Sequence, residues 1–85
     1  MAIVTMRYWA AAKDAAGVSE QSVTADTLAE ALAAVTRSAD RAALRAVMAR
    51  SSFLVDAAPV GRRAADSVLL QDGNVIEVLP PFAGG

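Results

Sequence analysis

Cysteine and histidine are both absent from this 85-residue chain. Without cysteine there is no disulfide, thiolate nucleophile, iron–sulfur cluster or zinc–thiolate site. Without histidine the usual general base near neutral pH is missing. No glycine-rich loop is followed by Lys-Ser or Lys-Thr, so the common phosphate cradle is missing as well. No apolar run approaches the ~20 residues of a membrane span. The opening "MAIVTMRYW" lacks the basic, apolar and small-residue succession of a signal peptide. A cytoplasmic location and no membrane partner are therefore expected. Positive charge is not in excess: Lys+Arg 8 stand against Asp+Glu 9, for a net charge of −1 and a pI near 5.1. A phosphate-tracking surface would carry a positive excess, so nucleic acid is not an expected partner. The length suits one domain with one modest core.

The segments that are present alternate between strand and helix periods. In "AIVTMRYW", Val4, Met6 and Tyr8 share one face and Ile3, Thr5, Arg7 and Trp9 the other, which predicts a strand. "AAAKDAAG" predicts a short helical turn closed by Gly17. "VSEQSVTA" predicts an edge strand paired with the first. "TLAE", Thr27 to Glu30, is a capping box, and Leu28, Ala31, Leu32 and Val35 then form one buried helical stripe running to about Arg37. Asp40 is expected to cap a second helix with Leu44, Val47 and Met48 on its apolar face. "SFLVD" reads as a strand, Ala57-Ala58 as a turn and "PV" as the start of a return strand. "GRRAADSVLLQ" is irregular, with Leu69 or Leu70 plugging the core. "QDGN" is a turn with Gly73 suited to positive φ. "VIEVL" is the last strand, with Ile76 and Val78 inward and Val75, Glu77 and Leu79 outward. Strands at both ends and helices between them indicate an α+β fold: a mixed sheet with its helices packed on one face. Placing the first and last strands side by side in the centre gives the ubiquitin-like β-grasp. Residues 1–80 are expected to form this domain, and 81–85 a flexible, projecting C-terminal tail.

The tail raises a chemical question. After the last strand the sequence reads Pro80-Pro81-Phe82-Ala83-Gly84-Gly85. Fraying accounts for Gly-Gly, since termini fray, but not for two prolines. Those end the strand, remove two amide donors and favour an extended backbone. Pro81 to Gly85 can span at most ~17 Å. Lacking Cβ atoms, Gly84-Gly85 can enter a channel too narrow for other residues. It would present an α-carboxylate, which a partner enzyme can activate with ATP as an acyl adenylate.

"YWAAAKDAAG", "TLAEAL", "FLVDAAPV" and "LLQDGNVIEVLPPFAGG" resemble the small subunit of molybdopterin synthase, a MoaD-type member of the MoaD/ThiS ubiquitin-like sulfur carriers. The resemblance spans nearly the whole chain, and "PPFAGG" after a "DG" turn is its most specific part. Lys13 stands where the family commonly has arginine, which weakens any bidentate pairing there. Arg37 to Arg50 carries little family signature. The resemblance implies that Gly85 is adenylated by a ubiquitin-activating-type (MoeB-type) adenylyltransferase and converted to a thiocarboxylate by a sulfur donor protein. It implies a MoaE-type large subunit as partner, with the sulfur passing to cyclic pyranopterin monophosphate. No cofactor is expected to stay bound, ATP being used by the activating enzyme. The implied partner contacts are Trp9, Lys13, Leu79, Pro81, Phe82, Ala83 and Gly84. Two alternatives stay open: a carrier for thiazole or cysteine synthesis, and a ubiquitin-like modifier or binding protein that carries no sulfur.

Trp9, Leu79 and Phe82 are expected to form an exposed apolar patch of the sort that marks a partner site. Arg37, Arg41 and Arg45 would make a basic stripe on a continuous helix, but Ser38 to Asp40 is expected to break it and leave a solvated face. Asp66 and Asp72 suit turns and caps better than a metal.

Overall fold

The computed structural model describes residues 1–81. In chain order it contains β1 (Ala2–Tyr8), α1 (Ala10–Ala16), β2 (Glu20–Ala25), α2 (Leu28–Thr36), α3 (Ala42–Met48), β3 (Ser52–Val55), β4 (Ala58–Pro59) and β5 (Val75–Leu79). Short 3₁₀ turns at Ala39–Arg41 and Ala65–Ser67 complete it. The sheet order is β2-β1-β5-β3-β4. β1 and β5 pair in parallel at the centre, with Thr5 opposite Val75 and Tyr8 opposite Val78. The other pairings are antiparallel. This is the ubiquitin-like β-grasp expected above.

The core follows the alternation of the strands. Val4, Met6 and Tyr8 from β1 and Ile76 and Val78 from β5 are buried. Against them pack Ala12 and Ala16 of α1, Leu28, Ala31 and Val35 of α2, and Leu44, Val47 and Met48 of α3. Alanine on α1 leaves little bulk between helix and sheet. Leu32 is partly buried at the edge of the same cluster. Of the two adjacent leucines, Leu70 closes the core and Leu69 is 76% exposed; Val68 is the second plug.

Local signals fix most boundaries. Gly17 ends α1 at φ 80, its N–H donating to the Lys13 carbonyl, a conformation that costs an L-residue energy and glycine almost none. The capping box of α2 is complete: the Glu30 N–H donates to Thr27 Oγ1 at 3.2 Å, and Glu30 Oε1 accepts from the Thr27 N–H at 3.2 Å. The Gln71–Asn74 turn is stitched to β1, since the Gly73 N–H donates to the Ile3 carbonyl at 2.9 Å and the Ile3 N–H to Asp72 Oδ1 at 2.8 Å. Asp72 is thus a turn residue.

Three expectations need correction. Asp40 does not cap α3. It lies inside the Ala39–Arg41 turn, and the N-cap position of α3 is Arg41, without a side-chain bond. The turn closes through a local bond from the Arg41 N–H to the Ser38 carbonyl instead. The β3–β4 turn is Asp56-Ala57, one residue earlier than expected, with both residues left-handed at φ 49 and 69. A two-residue hairpin loop between right-twisted strands requires that conformation, and Asp56 is held in it by accepting from Asn74 Nδ2 and the Val75 N–H. The arginines of the broken stripe do not form a plain solvated face. Arg41 donates to the Ala16 carbonyl at 3.0 Å and Arg45 to the Thr36 carbonyl at 2.6 Å, so each guanidinium closes the C-terminal end of a neighbouring helix.

Ile76 is fully buried in the central strand. Ile76→Asp puts an unpaired carboxylate there, at a cost well above the stability of a small domain. We expect circular dichroism to show no cooperative thermal transition. The Tyr8 phenol donates to Gln21 Oε1 at 2.8 Å. Burial pushes it up to about 12, with the Arg41 guanidinium opposing. The folded chain therefore holds this proton more tightly than the unfolded one, whose phenol titrates near 10. The contribution is whole below about pH 10 and is lost as pH rises toward 12. Denaturant titrations of the wild type should show this loss and those of Tyr8→Phe should not.

Candidate functional site at the root of the tail

β5 delivers the chain to one end of the sheet, where β1 gives way to α1. There the Trp9 N–H donates to the Val78 carbonyl at 3.3 Å, extending the central pairing by one bond. Trp9 is the N-cap residue of α1, with extended backbone. The next residue, Ala10, is left-handed at φ 50. That conformation is uncommon for a residue with a Cβ, and it swings α1 back over the core while the indole stays on the open side. The Trp9 Nε1–H donates to Glu77 Oε1 at 3.1 Å, so the ring is oriented by the strand that carries the tail. It remains 46% exposed.

Trp9, Ala10, Leu79 and Pro80 line an apolar cleft of about 300 Å³. The expected pairing of Trp9 with Leu79 is present, with Ala10 and Pro80 joining them. Lys13 is exposed one helical turn further on and is not part of the lining. Pro81 is exposed. Phe82, Ala83, Gly84 and Gly85 lie outside the described residues. Ala10 was not singled out from the sequence, and nothing in "WAAAK" marks a left-handed alanine. Glu77 was expected on the outward face of the last strand, and the parallel pairing of β1 with β5 sets its side chain beside the Trp9 end.

The open face next to the cleft carries Arg7, whose Nε donates to Glu20 Oε2 at 2.8 Å. Both side chains are well exposed, so the pair is worth little in stability. A second cleft, of about 330 Å³, borders β3 and β4. The Arg63 guanidinium on its rim is engaged by the carbonyls of Val60 and Pro59, and it is not part of the site. Among the described residues no three acidic side chains gather as a metal site would need, and no helix is long and apolar enough to cross a membrane. The arrangement offers an oriented indole, an apolar cleft and a departing chain; it offers no nucleophile. Glu77→Ala should leave the melting temperature within a few degrees of the wild type and release the indole, seen as a shift in Trp9 fluorescence. A greater destabilisation than that of Ile76→Asp would mean that β5 faces the other way.

No curated protein sequence matches the chain. Solved structures do. Small archaeal modifier protein 1 from Methanosarcina acetivorans is similar with a TM-score of 0.84 at 23% identity, over 100% of this chain and 98% of that one. A molybdopterin converting factor subunit 1 from Pyrococcus furiosus gives 0.73 at 16% identity, over 96% and 100%. A chain of the complex of subunits 1 and 2 of molybdopterin-converting factor from Helicobacter pylori gives 0.69 at 23% identity, over 98% and 99%. At these identities the likeness concerns the fold. A sequence model of the ThiS family matches residues 6–85, all but the first five positions. That match covers nearly the whole chain, tail positions included, so the chain belongs to the ThiS family, among the ThiS/MoaD-type ubiquitin-like sulfur carriers.

Proposed function

We propose that this chain is the sulfur carrier of molybdenum cofactor biosynthesis, serving molybdopterin synthase as its small subunit in the cytoplasm. The observation that carries the proposal is the family match, which runs through Gly84-Gly85 at the end of a chain with no reactive cysteine or histidine of its own. The Gly85 carboxylate attacks the α-phosphorus of ATP on a MoeB-type adenylyltransferase, and pyrophosphate leaves. A persulfide on a sulfur donor protein then attacks the acyl carbon through its outer sulfur and AMP leaves; a second thiol cleaves the acyl disulfide, forming a disulfide with the donor sulfur and releasing the thiocarboxylate. A MoaE-type large subunit receives the tail, and the sulfur passes to cyclic pyranopterin monophosphate. In this scheme Trp9 and Leu79, with Phe82, supply apolar docking area. Pro81, Ala83 and Gly84 form the thin stem, and Lys13 is a flanking charge. The likeness to two molybdopterin-converting-factor subunits, together with α3, which lengthens the chain beyond a minimal thiazole carrier, favours this acceptor over thiazole or cysteine synthesis.

A second reading is favoured by the likeness to small archaeal modifier protein 1: a modifier joined through its C-terminus to amines of other proteins. One experiment separates the two. Incubated with the activating enzyme, ATP and the sulfur donor, the chain should gain the mass difference between sulfur and oxygen. Conjugates of higher mass without that gain would favour the modifier. A variant with one residue added after Gly85 moves the carboxylate by ~3.8 Å. Since ~1 Å of misplacement can cost ~100-fold in rate, it should fold normally and gain no sulfur. Sulfur uptake by that variant without trimming would overturn the C-terminal mechanism.

A further inference from the structure

The cleft beside Trp9 is unevenly furnished. Its walls, from Trp9, Ala10, Leu79 and Pro80, are almost wholly apolar. Beside them stands Glu77, whose carboxylate is half engaged. Glu77 Oε1 accepts from the Trp9 Nε1–H at 3.1 Å. Glu77 Oε2 has no hydrogen-bond or ion-pair partner among the described residues. The nearest cation in the ladder is turned elsewhere. Arg7 lies opposite Glu77, yet its Nε donates to Glu20 Oε2 at 2.8 Å. By the alternation of the strands, the charged side chains on the open face of the sheet are Glu20, Arg7 and Glu77. Glu20 and Arg7 offset each other, and Glu77 is left with its negative charge.

These features state what an occupant must bring. The indole N–H, the one side-chain donor in the lining, is already bonded to Glu77, so the lining has no side-chain donor left to offer an anion. It stands instead next to a charged acceptor and presents an exposed indole, and tryptophan is the ring that attracts a cation most strongly. A planar, weakly hydrated cation rich in N–H donors fits both, and that is the guanidinium of arginine. An ammonium is compact and strongly hydrated, so it loses more on entering an apolar cleft.

We propose that this cleft receives an arginine side chain of a partner protein, its guanidinium laid on the Trp9 indole and paired with Glu77 Oε2, its methylene stem on Leu79 and Pro80. The inference deepens the docking role given above to Trp9 and Leu79 and rests on that role; it does not depend on which acceptor takes the sulfur. Tryptophan and arginine are among the residues most enriched at the energetic centres of protein interfaces. Here the tryptophan is set before the partner arrives, because the Glu77 bond holds the indole, and a side chain already ordered lowers the cost of docking. Glu77 orients the ring with one oxygen and selects the occupant with the other.

The test is an NMR titration of the isotope-labelled whole chain with N-acetyl-arginine amide, read at the Trp9 Nε1–H and at the Ala10 and Leu79 amides. N-acetyl-lysine amide and N-acetyl-citrulline amide, a neutral analogue of the arginine probe, run in parallel at matched ionic strength. The arginine probe should give the greatest shifts, confined to the cleft. Glu77→Gln keeps a carbonyl oxygen for the indole and removes the charge. It should melt as the wild type does and lower the arginine response by about twofold or more. Asp66→Asn removes the same charge from the Ala65–Ser67 turn, which packs on α2, and should leave the response unchanged. Absent or scattered shifts with the arginine probe, a lysine or citrulline response as great, or a Glu77→Gln response equal to that of the wild type would each overturn the proposal. So would cleft shifts that grow with the concentration of the protein alone, which would assign the site to a second copy. Sulfur uptake plays no part in the titration, so the carrier reading and this one fail separately.

Discussion

The parallel pairing of β1 with β5 is the constraint on which the rest of this fold depends. Two adjacent parallel strands cannot be joined by a tight turn, so everything between Tyr8 and Val75 must form a crossover. The helices cover one face as part of that crossover, and β2, β3 and β4 complete the sheet on either side. Register does the remaining work. Met6 opposite Ile76 and Tyr8 opposite Val78 set four side chains on the buried face. A slip of one residue would bury Glu77 and expose Ile76, a change that no local rearrangement could offset. The same register sets Glu77 under the Trp9 indole, so the packing that stabilises the core also orients the exposed ring.

Legibility in the sequence followed the range of the interaction. Features set by period or by a neighbour within a few residues could be read directly: the alternation of β1 and β5, the Thr27–Glu30 box, the glycines at the end of α1 and in the Gln71–Asn74 turn. The corrections arise where a local preference met a distant partner. Asp40 is a good cap by composition, but the chain tightens into a 3₁₀ turn before α3. Asp56-Ala57 takes the left-handed turn because Asp56 is anchored to Asn74 and Val75, 18 and 19 residues away. Arg41 and Arg45 looked like surface charge because the carbonyls they close, on Ala16 and Thr36, belong to other helices. Between Leu69 and Leu70 the sequence offered no basis for choice; the bond from the Leu70 N–H to the Asp26 carbonyl makes it.

The site was partly legible for the same reason. Trp9 and Leu79 come together because their strands do, and that pairing could be inferred. The left-handed Ala10 could not, since it reflects how α1 must turn to reach the core and not any preference of alanine. The domain thus presents an oriented indole and an apolar cleft at one end of the sheet.

The central pairing also has a mechanical meaning. β1 runs from the N-terminal end and β5 toward the C-terminal end, side by side and in the same direction. Tension applied between Met1 and Pro81 therefore pulls the two strands past each other along their length. The bonds of the ladder are loaded together in shear and cannot be opened one at a time as in a peeled hairpin. A pull transmitted through Pro81 thus acts along the axis on which the sheet resists best.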